Sequence, residues 1–183
     1  VYVKLQGKDR KKMKRDKAEI KVGIAYDGWK QTGRNRYELS DKVVVAGFEG
    51  AKEFHEYREA AIAEKYNLDE VNERILNADG ASWIKKVKDK STCFQLDPFH
   101  RNKAVREKIH NAEAVRDIME LLEKEKIREL FEYLENYRNS LWEEREIEDA
   151  EELLRYYRNN REGLVSYKSR LGELPEHPEG LEY

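Results

Sequence analysis

Twice in this chain a short apolar run stops at an acid and a helix-compatible sequence begins at once. Residues 75–84 read ILNADGASWI and residues 93–105 read CFQLDPFHRNKAV, so the two stops are Asp79 and Asp97. Two strands joined by a short helix form a βαβ unit, which dictates parallel pairing and a crossover on one face. Parallel sheets present such acids at the carboxyl ends of their strands, where ligands and metals bind. That arrangement constrains the fold more than any other feature of the sequence.

The remainder divides by period. VYVKLQG (1–7), EIKVGIAYDGW (19–29) and RYELSDKVVVAG (36–47) are rich in Val, Ile and Tyr, are separated by polar turns, and read as three antiparallel strands. A helix is expected over 51–67, a fourth strand over 74–80, a short helix from Ala81, and a fifth strand over 92–97. From Pro98 the apolar period becomes 3.6 residues. Val115, Ile118, Met119 and Leu122 share one helical face, after Asn111 as N-cap. Ile127, Leu130, Phe131 and Leu134 repeat the pattern, as do Ile147, Ala150, Leu154 and Tyr157. These stripes read as core contacts of a helical layer. The tail GELPEHPEGLEY (172–183) reads as an exposed connector.

Composition narrows the classes. Charged residues make up 40% of the 183 and cancel to a net charge of −2, so no global field directs the chain to nucleic acid or membrane. The single cysteine, Cys93, excludes an internal disulfide and fits a reducing compartment. No apolar run approaches the roughly 20 residues of a membrane span, and the amino terminus has no signal-peptide pattern. The chain opens on Val1 inside a strand-like phrase and reads as a piece of something longer.

Few residues carry chemistry. Asp79, at a strand end and followed by Gly80, is suited to hold a divalent cation such as Mg²⁺, which takes one or two protein carboxylates plus waters and phosphate oxygens. It is equally suited to cap the helix that begins at Ala81. Asp97 with Pro98 at the first helical position is a standard helix start. His100 lies one turn in, on the same side as the cap, where it orients a phosphate or a nucleophile or simply meets solvent. Arg101 and Lys103 add positive charge where an anion approaches a helix amino terminus. The segment 8–21 concentrates eight Lys and Arg among three acids. Between strands one and two it makes a basic hairpin tip, either a solubilising loop or a tracker of phosphate backbone. Trp29 and Trp83, near strand ends, either stack a base or cover the core.

The phrases VYVKLQGK, EIKVGIAYDGW, NADGASWIKK and LDPFHRNKAV, in this order, resemble the RNase-H-like catalytic domain of bacterial insertion-sequence transposases. More narrowly, they resemble the Lre-type insertion-sequence group, which is related to Mutator-like elements. The resemblance runs over essentially the whole chain. It implies an α/β fold: an RNase-H-like mixed sheet, three antiparallel strands then two parallel strands, with a helical insertion. The corresponding divisions are a partial catalytic core over 1–100, the helical insertion over 101–171, and a connector over 172–183. In that family three acids bind the Mg²⁺ or Mn²⁺ ions that drive DNA cleavage and strand transfer. The resemblance assigns the second acid, a metal ligand, to Asp79. It assigns the cysteine-or-aspartate-x-x-histidine signature to Asp97 and His100, making all three catalytic. DNA contacts fall to Lys8, Arg10, Lys11, Lys12, Lys14 and Arg15 in the basic hairpin, and to Arg101 and Lys103.

By the same resemblance the first acid falls just before Val1 and the third, a Glu, shortly after Tyr183. The implied partners are insertion-sequence ends and target DNA. The implied parent is a bacterial, cytoplasmic, nucleoid-associated homodimer that does not engage a membrane. Two other readings of the residues stay open, a DNA-binding remnant without chemistry and a protein-interaction module built on the charged helices. With one of three metal-binding acids, the isolated 183-residue chain is expected not to hold two metals and to be inactive, Mg²⁺ or Mn²⁺ being expected only with the missing acids restored. A Mg²⁺-dependent nicking assay checks this, and robust nicking lost on Asp79→Ala would overturn it.

Overall fold

The computed structural model describes residues 2–3, 18–86 and 92–171. Two compact units meet in sequence between Asn72 and Glu73.

In the first unit, β1 (Tyr2–Val3) pairs antiparallel with β2 (Ala18–Glu19). β3 (Lys21–Ala25), β4 (Gly28–Gly33), β5 (Arg36–Ser40) and β6 (Val43–Gly47) follow. β3 pairs with β6 and β4 with β5, both antiparallel. From Lys21↔Gly47 through Ala25↔Val43 and on from Gly28↔Ser40 to Gln31↔Tyr37, each pair of residue numbers adds to 68. The two pairings are therefore halves of one long ribbon that breaks and resumes in the same register. The expected strand over 19–29 thus runs on to Gly33, interrupted at Tyr26 and Asp27. Opposite that interruption Asp41 takes φ 47°, and at the ribbon's tip Asn35 takes φ 59°. Asp and Asn tolerate the left-handed region better than most side chains.

Helix α1 (Ala51–Ala63) packs on β3 and β6 and buries Phe54 against the strand pair that carries buried Val45. It stops before the expected Asn67. Instead Asn67 accepts a hydrogen bond from the Asp69 amide, 3.3 Å, and opens a 3₁₀ turn over Leu68–Glu70. The Tyr66 hydroxyl donates to the Asp41 carbonyl at 2.6 Å, tying the helix exit to the break in the ribbon.

The second unit begins with β7 (Arg74–Ala78), α2 (Ser82–Lys86) and β8 (Thr92–Leu96). β7 and β8 pair in parallel, Arg74↔Thr92 through Ala78↔Leu96, as the βαβ reading requires. Helices α3 (Pro98–Lys108), α4 (Ala112–Glu123), α5 (Ile127–Ser140) and α6 (Glu144–Asn159) follow. The expected stripes face the core, except that Ile147, which opens the third, is half-buried outside the central cluster. Ile118 and Leu122, Leu130 and Leu134, and Ala150, Leu154 and Tyr157 are buried, with Val115, Met119, Ile127 and Phe131 half-buried beside them. Phe94, Leu96 and Val105 belong to the same cluster, so strand β8 and the helical layer share one core. Asn111 caps α4 as expected, accepting from the Ala114 amide at 2.9 Å.

After α6 a 3₁₀ turn (Arg161–Leu164) and α7 (Tyr167–Leu171) bring the chain back onto β8. Gln95, only 4% exposed, clasps that return. Its amide donates to the Leu96 and Gly163 carbonyls, both at 3.0 Å, and its oxygen accepts from the Tyr167 amide at 2.8 Å. Glu125, at φ 53° between α4 and α5, holds the same segment by accepting from the Ser166 amide at 2.7 Å.

The architecture is therefore mixed α/β, with small antiparallel pairs in one unit and a parallel pair under helices in the other. At Gly163 a Cβ would lie 2.5 Å from Phe94 Cε1 and 2.6 Å from the Leu96 backbone nitrogen. Backbone cannot swing aside as a flexible side chain can. Gly163→Ala is expected to lose about 2–3 kcal/mol of unfolding free energy in urea titration, the upper range for overpacking a core.

Candidate functional site

Asp79 and Asp97 are the residues that follow the last paired positions of β7 and β8. The Asp97 amide donates to the Ala78 carbonyl at 2.9 Å, extending the parallel ladder to the exits of both strands. Adjacent strands lie about 4.8 Å apart, so the two acids leave the sheet side by side.

The Asp79 Oδ1 accepts from the Ala81 amide at 2.9 Å, which turns the chain toward α2. The expected capping role is not realised, because α2 begins only at Ser82 and Gly80 is not helical; the bond instead closes a tight turn ahead of the helix. That turn uses one carboxylate oxygen, and Oδ2 has no partner among the described residues. Gly80 adopts φ 83°, a conformation open to glycine and strained for a side chain. A Cβ there would also meet the Asn160 side chain at 2.7–2.9 Å.

Asp97 caps α3, its Oδ1 accepting from the Phe99 amide at 2.7 Å, with Pro98 in the first turn. Its Oδ2 lies 3.3 Å from His100 Nδ1, so the imidazole one turn along does return to the cap. His100 is exposed, and the 66% exposed Phe99 ring packs edge-on against it, centroids 5.3 Å apart. The structure thus brings Asp79, Asp97 and His100 to one edge.

The expected cations divide. Lys103 is exposed and pairs with Glu107 at 3.6 Å. Arg101 is half-buried, donates to Asn102 Oδ1 at 3.0 Å, and burial lowers the pKa of its guanidinium. Lys8, Arg10, Lys11, Lys12, Lys14 and Arg15 lie outside the described residues. Lys21, at the end of the same basic segment, is buried and donates to the Glu49 carbonyl at 2.9 Å. Trp29 and Trp83 are both half-buried, and Trp29 packs edge-on against Tyr26 at 5.6 Å.

Two residues of the site are invisible in the sequence pattern. The Tyr156 hydroxyl donates to the Asp79 carbonyl at 2.8 Å, across 77 positions. Burial, then the charges of Asp79 and Asp97, push its phenol up to about 12. Beside it Asn160 is 1% exposed, donates its amide to the Tyr156 carbonyl at 2.9 Å, and lies against Gly80. Its Oδ1 is buried without a partner among the described residues. Helical spacing places Tyr157, not Tyr156, on the core stripe, and no local signal ties a tyrosine to an acid so far away.

A family profile matches residues 1–182, described as an uncharacterised protein family, UPF0236. The chain belongs to UPF0236. Neither the curated proteins nor the solved structures gave a match.

The donor set of this UPF0236 chain at the strand ends is two carboxylates with an imidazole on one of them. Among the described residues no cluster of three or more His, Cys, Asp and Glu side chains has the geometry of a metal cage. Two carboxylates suit Mg²⁺, which keeps most of its water and does not need a full protein cage. No helix among the described residues is long and apolar enough to cross a membrane.

The raised phenol of Tyr156 fixes a sign. The folded state holds that proton more tightly than the unfolded chain, so its contribution is complete below pH about 10, the ordinary tyrosine value, and is lost as pH rises through about 12. Urea midpoints are therefore expected to fall between pH 10 and 12, and the fall is expected to be shallower in Tyr156→Phe.

Proposed function

We propose that this UPF0236 chain carries part of the catalytic domain of an RNase-H-like transposase, acting on DNA with divalent cations. The observation that carries the reading is the pairing of Asp79 and Asp97 at adjacent ends of parallel strands, with His100 on Asp97. It is supported by the order of elements, an antiparallel ribbon, a helix, and then a βαβ unit whose strands end in acids.

Under this reading Asp79, with an exposed carboxylate and one oxygen to spare, is a metal ligand. Bound Mg²⁺ or Mn²⁺ supplies an activated oxygen nucleophile and neutralises charge on the phosphodiester. Asp97 holds His100 at the strand edge, where the imidazole orients a phosphate oxygen or the leaving group. One carboxylate oxygen of each acid is held in place, that of Asp79 by the Ala81 amide in the turn and that of Asp97 as the cap of α3, which favours a preorganised metal site. The exposed Lys103 and the basic segment 8–15 track the DNA backbone, and the remaining acids come from elsewhere in the gene product. Two subunits paired on two transposon ends, in the bacterial nucleoid, complete the picture.

Asp79→Asn separates the two roles of this residue. The amide oxygen still accepts from the Ala81 amide, so stability is expected to change by less than about 0.5 kcal/mol. The charge that a cation requires is gone. In the intact gene product, Mg²⁺-dependent cleavage of insertion-sequence-end DNA is expected to disappear in Asp79→Asn, with DNA affinity at low salt retained. Cleavage that persists in the variant would remove Asp79 from the chemistry, and an intact product that never cleaves would remove the enzymatic reading.

A further inference from the structure

The turn Asp79–Gly80–Ala81 is held from the far side of the unit. The Tyr156 hydroxyl donates to the carbonyl of Asp79, and the Asn160 side chain lies flat against Gly80. Asn160 itself is tied to Tyr156 by its amide, 2.9 Å, and its backbone amide bonds the Tyr156 and Tyr157 carbonyls at 3.1 Å. The end of α6 is thus a preformed clasp. Glycine is what lets it close, since any larger residue at position 80 would strike Asn160.

Burying the unpartnered Asn160 Oδ1 costs free energy, and a half-buried tyrosine facing two carboxylates is not a choice made by packing alone. An apolar residue at either position would fill space without that cost. What the polar pair adds is direction: a hydrogen bond fixes where the Asp79 carbonyl points. The peptide plane in turn fixes where its carboxylate stands relative to Asp97.

We propose that Tyr156 and Asn160 are positioning residues for the carboxylate of Asp79. They make the end of α6 part of the metal-binding apparatus at the strand edge, and this rests on the metal role given to Asp79 above. The helical layer then does more than cover the sheet. Any event that draws the end of α6 away from the Asp79 turn also loosens the acid.

The test uses the intact gene product, Mn²⁺ alone as probe, and Tyr156→Phe, which removes one oxygen and keeps the ring. Mn²⁺ broadening of the backbone amide signals of Ala81 and Phe99 gives an apparent Kd, and amide exchange at Gly80 and Ala81 reports the turn directly. Loss of a partner that orients a ligand weakens metal binding about tenfold or more, so Kd is expected to rise by about that factor. Exchange at Ala81 is expected to quicken roughly fivefold to tenfold, the worth of one hydrogen bond. Amides at Ile118 and Leu122 are expected to keep their wild-type rates. Tyr133→Phe, which loses an equivalent hydroxyl bond to Asp117 (3.1 Å) elsewhere in the helical layer, is expected to change neither Kd nor turn exchange. Unchanged Kd and unchanged turn exchange in Tyr156→Phe would overturn the proposal, as would equal acceleration at Ile118 and Leu122, which marks general loosening. An intact wild-type product that binds no Mn²⁺ defeats the metal role of Asp79 and with it the function of the clasp, whereas wild-type binding left unaltered by Tyr156→Phe defeats the clasp alone.

Discussion

The second unit depends on the return of residues 160–171 onto strand β8. A helix that ends beside a strand must satisfy its last carbonyls and keep water from the strand it covers. Here the strand supplies the means. Gln95, an amide in an otherwise apolar run, reaches out of β8 to the Gly163 carbonyl and the Tyr167 amide, and Gly163 admits the close approach. Arg170 adds a guanidinium bond to the Phe94 carbonyl at 2.5 Å. A buried glutamine with three bonds is worth more to a unique arrangement than to raw stability, because each bond has one geometry that satisfies it. Once that segment is docked, the end of α6 has one place to go, and Tyr156 and Asn160 come to rest against the turn of Asp79.

The elements that sequence patterns describe well are those whose neighbours are close in the chain. The stripes Ile118–Leu122, Leu130–Leu134 and Ala150–Leu154–Tyr157 follow from helical periodicity, and all of these residues are buried. Asn111 and Asp97 cap their helices because a side-chain oxygen needs only the next two or three residues to find an amide. The parallel pairing of β7 and β8 follows from strand, helix and strand in immediate succession. The ribbon was legible as two strands, but its break was not. Its pairing stops at residues 26–27 and 41–42 and resumes without a change of register, a feature of backbone twist that no residue type announces. Within Val43–Gly47 the two faces differ: Val44 is 56% exposed, and α1 covers the side that holds Val45.

The acids of the site were legible for a similar reason. Asp79 and Asp97 each end a strand, and a strand end is a local event. The clasp behind Asp79 was not legible, because its partners are 77 positions apart and neither residue lies on an apolar stripe. Gly80 was the nearest thing to a signal. Asp-Gly reads as a turn, and the structure agrees. The reason that glycine alone fits, the amide of Asn160 against its Cα, belongs to the tertiary structure.

The chemistry open to Tyr156 is narrowed by its surroundings. Burial and the two neighbouring carboxylates raise its phenol to about 12, so at neutral pH the hydroxyl keeps the proton that it donates to the Asp79 carbonyl. A tyrosine in that state is neither nucleophile nor general base, since both roles need a lowered pKa. Tyr157, buried more deeply and donating to the Arg101 carbonyl at 3.0 Å, is pushed up by burial as well. Two adjacent tyrosines thus serve as fixed donors to backbone carbonyls, one at the exit of β7 and one in the first turn of α3. Those are the two elements that carry Asp79 and the Asp97–His100 pair. The same helix end therefore grips both sides of the acid edge. Drawing that helix end away would therefore break both bonds at once.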